Sequence, residues 1–307
     1  MARAHRTILV TGVPRSGTTP IGEVLGFAPS TRFLYEPLNF ESGLRTIDAY
    51  FPTLGDARDH DEDVQAILDL RLRLRSGVFP EDRGLRRLGK YVVGGQSRVS
   101  ARSLRWGPTP DHVIWKDPFA IFLVARIATR FEVPTVITMR DPHAVAASFK
   151  RLGWSFDVRG IQRRLDPDGD APWALSEEAL ALAESGSAVT GAALWRLGYG
   201  HASATTAGLA NVAWVSVEDV LEQPRAVYER LYEFCGLELS EDAARALEGK
   251  YRAGGRETPT RTHDKHRDVG AVATYWQGSL TEEENAAVDA LTADVRVGVP
   301  ASRSGLP

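Results

Sequence analysis

The chain has 307 residues, of which 43% are hydrophobic and 25% charged, so it can bury a large core and has the size of one large domain or two small ones. Its net charge of -3 is too small to recruit nucleic acid or an acidic membrane, so an anion site must be a local cluster of basic residues. The only cysteine, Cys235, excludes a disulfide framework and a cysteine metal site.

Short apolar runs rich in valine, isoleucine and threonine predict five strands, at residues 7–11, 31–35, 112–116, 135–139 and 212–217. Several runs are continuous rather than alternating, which is typical of parallel strands covered on both faces. Segments with a helical pattern lie between and after them, at residues 21–27, 63–75, 119–131, 143–152 and 226–237. This order predicts an α/β fold with a P-loop-type central parallel sheet flanked by helices.

We predict a single domain over residues 1–307 that carries two insertions. Residues 41–110 and 152–190 fit the alternation of strands and helices poorly, and such insertions often form lids or acceptor-binding surfaces. Residues 296–307 are predicted to be a flexible tail. No run of about 18 apolar residues predicts a membrane span, and the amino terminus leads directly into the first predicted strand, so we expect a cytoplasmic protein.

The loop after the first predicted strand has the composition of an anion site. Gly12 and Gly17 bracket a turn that leads into a predicted helix, whose first backbone amides carry partial positive charge. Arg15 adds a fixed cation within the loop. Further donors at the start of the helix come from Ser16, Thr18 and Thr19.

This loop lacks the lysine of a Walker-type phosphate loop, because Thr18 occupies that position. Asp117 and Asp141 each lie just after a predicted strand, so carboxylates alone do not exclude a kinase or nucleoside triphosphatase. A non-catalytic nucleotide-binding module is a further alternative. The second basic motif, described next, argues against a kinase or triphosphatase, and the presence of Glu36 and Lys116 argues against a non-catalytic module.

The second basic motif follows the predicted strand at 135–139. Arg140 ends the strand, Pro142 suits the first position of a helix, and Ser148 lies two turns into that helix. An arginine beside a helix start offers a forked set of donors to a phosphate.

Together, PRSGTT at 14–19 and RDPHAVAAS at 140–148 resemble the two nucleotide-binding signatures of sulfotransferases that use 3′-phosphoadenosine 5′-phosphosulfate (PAPS). The resemblance implies that the first loop grips the 5′-phosphosulfate, with Arg15 touching the transferred group. It also implies that Arg140 and Ser148 hold the 3′-phosphate, and that the product is adenosine 3′,5′-bisphosphate (PAP).

The resemblance extends over residues 6–38, 111–151 and 212–295, and is nearest in motif to the carbohydrate-type and bacterial branch. FLYEPL at 33–38 is similar to the second strand of that branch. The segments at 214–237 and 276–291 are similar to the later strand and helix and to the closing helix. The two insertions have no such match.

Catalytic roles follow from the same resemblance. Glu36 occupies the place of the base in glycan-type members, and Lys116 that of a lysine that contacts the sulfuryl group. Because the transferred group carries less negative charge than a γ-phosphoryl, fixed cations and amides can stabilise the departing oxygens without a metal. Asp117 is the alternative base, and His112 and His143 are weaker candidates.

A late basic segment, TPTRTHDKHRDVG, is similar to the loop that folds over the 3′-phosphate in this family. Arg267 is its main candidate contact, with Lys265 and Arg261 as secondary ones. The family's tryptophan after the threonine pair is replaced by Pro20, so the residue that stacks on adenine stays unidentified.

The expected acceptor is a small-molecule or glycan-like hydroxyl, with an amine as the lesser alternative, in a bacterial protein of secondary metabolism. Aromatic residues in or near the insertions could stack on it or could pack in the core. They are Trp106, Trp154, Phe156, Trp173, Trp195 and Tyr199.

Overall fold

The computed structural model describes residues 5–76, 95–251 and 276–295, and its centre is a five-stranded sheet. The strand order is β2-β3-β1-β4-β5, and every neighbouring pair is parallel. The strands are β1 (Arg6–Thr11), β2 (Thr31–Tyr35), β3 (His112–Lys116), β4 (Thr135–Met139) and β5 (Val212–Ser216). Each predicted strand is therefore confirmed to within one residue at its ends.

Both faces of the sheet are buried, as the continuous apolar runs predict. Successive strand residues enter different cores: Leu9 and Val113 belong to the larger hydrophobic cluster, whereas Ile8 and Ile114 belong to the smaller one. Because side chains alternate across a strand, a fully apolar strand serves two layers of helices at once.

Helices surround the sheet, and the described residues include twelve α-helices. They are α1 (Thr18–Leu25), α2 (Asp61–Leu68), α3 (Gln96–Trp106), α4 (Val124–Arg130), α5 (Pro142–Leu152), α6 (Val158–Leu165), α7 (Glu177–Ala183), α8 (Ser187–Thr206), α9 (Val217–Glu222), α10 (Pro224–Cys235), α11 (Glu241–Tyr251) and α12 (Glu282–Thr292). The closing helix implied at 276–291 corresponds to α12, which begins with a capping box of Thr281 and Glu284.

Two predicted helices differ from the structure. The helix predicted at 63–75 ends at Leu68, because Leu70 has a φ of 56° and the following residues alternate leucine with arginine. That two-residue period suits an extended chain, and Leu74 forms an antiparallel bridge with Leu44. The helix predicted at 119–131 begins as a 3-10 helix, Pro118–Leu123, before α4 continues it.

A buried ionic cluster joins the two predicted insertions. The His60 side chain is 2% exposed and lies between two carboxylates, with Nε2 2.8 Å from Asp56 Oδ2 and Nδ1 3.0 Å from Asp63 Oδ2. Arg164 of α6 contacts the same Asp56 at 2.8 Å. The cluster therefore connects residues 41–110 to residues 152–190, whose role as lids or acceptor-binding surfaces stays a prediction.

The charge on His60 makes this connection pH-dependent. Burial alone would lower the pKa of His60, but the hydrogen bonds and negative charges of Asp56 and Asp63 outweigh it and raise the pKa to about 9. Because the ordinary pKa is 6.5, this stabilisation is complete below about pH 6.5 and is lost as pH rises through about 9.

We expect His60→Gln to lower the free energy of unfolding by about 1 to 3 kcal/mol near pH 6, and by much less near pH 10. Urea unfolding of the unsubstituted protein and of His60→Gln at the two pH values measures this difference in free energy. Because the two proteins are compared at the same pH, the titration of other groups affects both equally. A loss that is the same at both pH values would show that His60 contributes packing rather than charge.

Candidate functional site

The strand order creates a crevice at the carboxyl edge of the sheet. The chain leaves β1 towards β2 on one side, whereas β4 and β5 lie on the other side of β1. Ligands of parallel α/β sheets bind where the connections diverge in this way, outside the carboxyl ends of the strands. The loops that follow β1 and β4, which carry the two basic motifs, flank this crevice.

Gly12 and Gly17 shape the loop after β1. Gly12 has a φ of 150°, and a Cβ there would lie 2.3 Å from the carbonyl oxygen of Thr138. Gly17 caps α1 with a φ of 87°, and its Cβ would lie 2.6 Å from Val217 Cγ2. A side chain at either position would both strain the backbone and clash. The loop can therefore pack tightly against β4 and the start of α9.

Arg15 and Ser148 join the two motifs into one site. Arg15 Nε donates a hydrogen bond to Ser148 Oγ at 2.9 Å, and Arg140 Nη1 donates to the Arg15 carbonyl oxygen at 3.4 Å. Ser148 is buried on α5, and Arg140 is only 6% exposed. Two guanidinium groups, the start of α1 and a buried hydroxyl thus converge on one region, as a ligand with two anionic ends requires.

Side chains from distant parts of the sequence hold this region in place. Ser16 Oγ donates to the Val13 carbonyl at 2.6 Å. The Tyr199 hydroxyl accepts a hydrogen bond from Val13 N at 3.3 Å and donates to the Thr138 carbonyl at 2.8 Å. Trp195 Nε1 donates to the Arg140 carbonyl at 2.8 Å. Hydrogen bonds from two side chains of α8 therefore hold both the loop after β1 and the end of β4 in place.

The aromatic residues named from the sequence divide into three groups. Trp173, Trp195 and Tyr199 lie in the core, at 8%, 6% and 0% exposure, so the option of an acceptor surface is wrong for them. Trp106 is 73% exposed at the end of α3, beside Arg102. Trp154 and Phe156 are half-buried beside the loop, and Arg15 lies 5.9 Å from the centre of the Trp154 ring.

The ends of β2 and β3 supply a second charged group. Lys116 forms an ion pair with Glu36 Oε1, and both side chains are largely buried, at 3% and 12% exposure. Asn39 Nδ2 donates to the other carboxylate oxygen, Glu36 Oε2, at 3.0 Å. Glu36 has a φ of 45°, so the chain turns sharply where this carboxylate is presented.

Tyr35 is a site residue that the sequence analysis did not identify. Lys116 Nζ lies 4.3 Å from the centre of its ring, and its hydroxyl interacts with the side chains of Glu36 and Thr19. Burial and the charge of Glu36 raise the pKa of Tyr35 well above its ordinary value, more than Arg15 and Thr19 lower it. Its neutral hydroxyl thereby connects the carboxylate at β2 with the start of α1.

Asp117 is fully buried, and its carboxylate is engaged in hydrogen bonds. Its carboxylate accepts hydrogen bonds from Leu38 N at 2.7 Å, Phe119 N at 3.1 Å and Trp115 Nε1 at 3.3 Å. Burial and the nearby charge of Glu36 raise its pKa to about 7. This geometry is that of a helix cap, so Asp117 is a poor alternative to Glu36 as a base.

The remaining candidates lie elsewhere. His112 is the first residue of β3, at the amino edge of the sheet, which is the edge opposite the crevice. His143 of α5 is near Asp141 and lies 3.2 Å from Asp289. Asp141 itself caps α5 through the amides of His143 and Ala144. Arg261, Lys265 and Arg267 fall outside the described residues, as does the predicted tail at 296–307.

The described residues show neither a membrane span nor a cluster of metal ligands. In residues 5–76, 95–251 and 276–295, no helix is both long and apolar enough to cross a membrane. Over the same residues, no group of three or more His, Cys, Asp or Glu side chains is arranged to hold a metal ion.

Comparison with solved structures gives matches of low sequence identity. A sulfotransferase from Mycobacterium avium, STF9, is 14% identical with a TM-score of 0.43, over 95% of this chain and 76% of that one. The sulfotransferase domain of the curacin biosynthetic pathway is 14% identical with a TM-score of 0.45, over 95% and 99% of the two chains. Mouse SULT7A1 complexed with PAP is 15% identical with a TM-score of 0.43, over 97% and 86%.

Sequence comparison identifies the family of this chain. A search of curated proteins gives no significant match. A sequence model described as "Sulfotransferase family", however, matches residues 7–241. That range includes β1 from its second residue, the other four strands, the loop after β1, Glu36, Lys116 and the motif after β4. The chain belongs to the sulfotransferase family.

Proposed function

We propose that the protein transfers the sulfuryl group of PAPS to a hydroxyl of a small-molecule or glycan-like acceptor, with an amine as the lesser alternative. The observation that carries this proposal is the contact between the two basic motifs, in which Arg15 Nε lies 2.9 Å from Ser148 Oγ. It makes one continuous anion site at the carboxyl edge of the sheet. A donor with a 5′-phosphosulfate and a separate 3′-phosphate suits such a site.

The chemistry of the donor groups fits this ligand. Near the loop after β1, the amides and hydroxyls of Ser16, Gly17, Thr18 and Thr19 would hold the 5′ end. Arg140 and Ser148 would hold the 3′-phosphate, together with Arg267, which lies outside the described residues. Bound PAPS supplies the sulfuryl group, whose bond to the 5′-phosphate breaks with the electron pair going to the phosphate oxygen. The product is PAP.

The residues at the ends of β2 and β3 would accept the proton of the acceptor and stabilise the negative charge that develops in the transition state. Glu36 would take the proton of the acceptor hydroxyl as its oxygen forms the new bond to sulfur. Lys116 and Arg15 would stabilise the negative charge that develops on the departing oxygens, because fixed cations in a site with little water act strongly. We propose no metal for this reaction.

The described geometry favours this reaction over a P-loop kinase or nucleoside triphosphatase. Asp117 and Asp141 follow β3 and β4, where a magnesium-binding carboxylate is expected, but each accepts the backbone amides of the helix that follows it. Thr18 replaces the lysine of such enzymes. A bacterial origin, a cytoplasmic location and a role in secondary metabolism stay predictions from the sequence.

A binding comparison tests the proposal. Calorimetric titration should give a saturable Kd for PAP and none for ATP with magnesium, and labelled PAPS should yield a sulfated product from a panel of hydroxylated acceptors. Binding of magnesium ATP with no response to PAP would overturn the proposal. Binding of PAP without turnover of any acceptor would instead support the non-catalytic nucleotide-binding module.

Arg140→Ala should weaken PAP binding by about 10-fold to 100-fold, because it removes a charge-assisted contact with the 3′-phosphate. Arg225→Ala is the matched control, since Arg225 is exposed on α10, where it pairs with Glu229 and Glu248. Calorimetric Kd values for PAP measure both variants. Equal affinities of the Arg140 variant and the control for PAP would show that Arg140 does not bind the donor.

A further inference from the structure

Four aromatic rings form a connected surface beside the site. Trp154 and Phe156 have centroids 6.5 Å apart, Phe156 and Tyr50 are 5.2 Å apart, and Tyr50 and Phe40 are 5.5 Å apart. The contacts are edge-to-face, with interplanar angles of 75°, 79° and 66°. We refer to Phe40, Tyr50, Trp154 and Phe156 as the aromatic wall.

The wall is backed by the core but is not part of it. Its four members are all half-buried, whereas the rings behind them, Phe51, Phe122 and Phe149, are at most 2% exposed. Phe51 contacts Phe156 at 5.1 Å, and Phe149 contacts it at 6.0 Å. A rigid apolar layer therefore supports rings that still present surface to a ligand.

Each end of the wall reaches a charged group of the proposed reaction. Trp154 lies 5.9 Å from the Arg15 guanidinium. At the other end, Phe40 follows Asn39 in the chain, and Asn39 Nδ2 donates to Glu36 Oε2 at 3.0 Å. Burial, a hydrogen bond with Glu41 and the negative charges of Glu41 and Glu36 raise the pKa of Tyr50, which neighbours Phe40 in the wall, so its hydroxyl stays protonated. The wall thus extends between the cation that faces the donor and the carboxylate proposed as the base.

The side-chain amide of Asn39, beside Phe40 of the wall, is already engaged in hydrogen bonds. Asn39 donates to Glu36 at 3.0 Å, and its Oδ1 accepts the amides of Glu41 at 2.9 Å and Ser42 at 3.2 Å. Phe40 and Phe156 offer no hydrogen bonds at all. A sugar stacked on these two rings would turn hydroxyls towards surfaces that give them no partner, which is costly, whereas a flat apolar ring would lose little there.

Building on the proposed sulfuryl transfer, we propose that the aromatic wall is the acceptor subsite and that it takes a flat apolar molecule with one reacting hydroxyl, such as a phenol. The ring of the acceptor would stack against Phe156 and Tyr50. Its hydroxyl oxygen would bond to sulfur as the bond from sulfur to the 5′-phosphate oxygen breaks, and its proton would pass to Glu36. A phenol suits this base, because phenolic protons have a pKa near 10 and are easier to remove than those of sugars.

Binding and turnover of 2-naphthol test the proposal. Calorimetry in the presence of saturating PAP should give a measurable Kd for 2-naphthol and none for N-acetylglucosamine. With PAPS, kcat/KM should favour 2-naphthol. Phe156→Leu and Phe40→Leu keep apolar volume but remove a ring, and should each raise the Kd and KM for 2-naphthol about threefold to tenfold. The Kd for PAP should stay within about twofold of that of the unsubstituted protein.

Phe27→Leu is the matched control, because Phe27 is 37% exposed just after α1 and takes no part in the wall. It should leave 2-naphthol binding unchanged. Preference for the sugar, absence of 2-naphthol binding, or equal effects of the wall and control variants would each overturn the acceptor subsite. These results differ from failure of the proposed function, in which PAP itself would not bind.

Discussion

Glu36→Gln is expected to lower kcat by about 100-fold to 10,000-fold, because a neutral amide cannot take the proton of the acceptor hydroxyl. Glutamine keeps the size of the side chain and can still accept a hydrogen bond from Asn39, which contacts Glu36 Oε2 at 3.0 Å. The rate should therefore fall through chemistry rather than through the shape of the site. Steady-state kinetics with labelled PAPS measure the loss.

The same variant also leaves Lys116 buried without its ion-pair partner, since that side chain is 3% exposed. A structural effect must therefore be separated from the loss of a base. A series of phenols of decreasing pKa does so, because the more acidic acceptors need less help from a base and the rate loss should shrink along the series. A thermal melt and the Kd for PAP provide the control for folding.

Two results would contradict the assignment. Near-full activity of Glu36→Gln across several acceptors would show that Glu36 is not the base. A rate loss that is equal for all phenols and accompanied by weaker PAP binding would show that Glu36 mainly positions Lys116.

The strands and the two basic motifs could be predicted because they are local in sequence. Each strand is a short apolar run, and its identity depends on neighbours within a few positions. The loop after β1 and the motif after β4 could be predicted for the same reason. Even the wrong helix at 69–75 has a local explanation, since the alternation of leucine and arginine there indicates an extended chain.

The rest depends on contacts between distant residues. Arg15 and Ser148 are 133 positions apart, and Val13 and Tyr199 are 186 apart, so no local pattern indicates either hydrogen bond. The longest helix among the described residues, α8, could not be predicted, because it is buried on nearly all sides and therefore lacks a polar face to give it a helical period. The sequence therefore leaves open whether Trp195 and Tyr199 form an acceptor surface or pack in the core, whereas in the structure they hold the loop and the end of β4.

Arg15→Ala is expected to lower kcat by about 100-fold to 1,000-fold, the usual effect of removing one fixed group that stabilises charge in the transition state. Arg15 is placed for such a role by its backbone, which has a φ of 76°, and by its contacts with Ser148 and Trp154. Its Nε is engaged by Ser148, and in our proposal the Nη groups of the guanidinium are the ones aimed at the transferred group. Single-turnover rates with PAPS, compared with the Kd for PAP, measure how much of the effect lies in the chemical step.

Arg15→Lys separates charge from geometry. Lysine keeps the positive charge but not the planar fork, so it should restore only a small part of the rate if Arg15 must contact Ser148 and the donor at once. Full recovery with lysine would mean that charge alone is sufficient. A fall in PAP affinity as large as the fall in kcat would instead assign Arg15 to donor binding. We therefore predict rates in the order arginine well above lysine and lysine above alanine. This order is expected because the side chain at position 15 must contact both Ser148 and the donor.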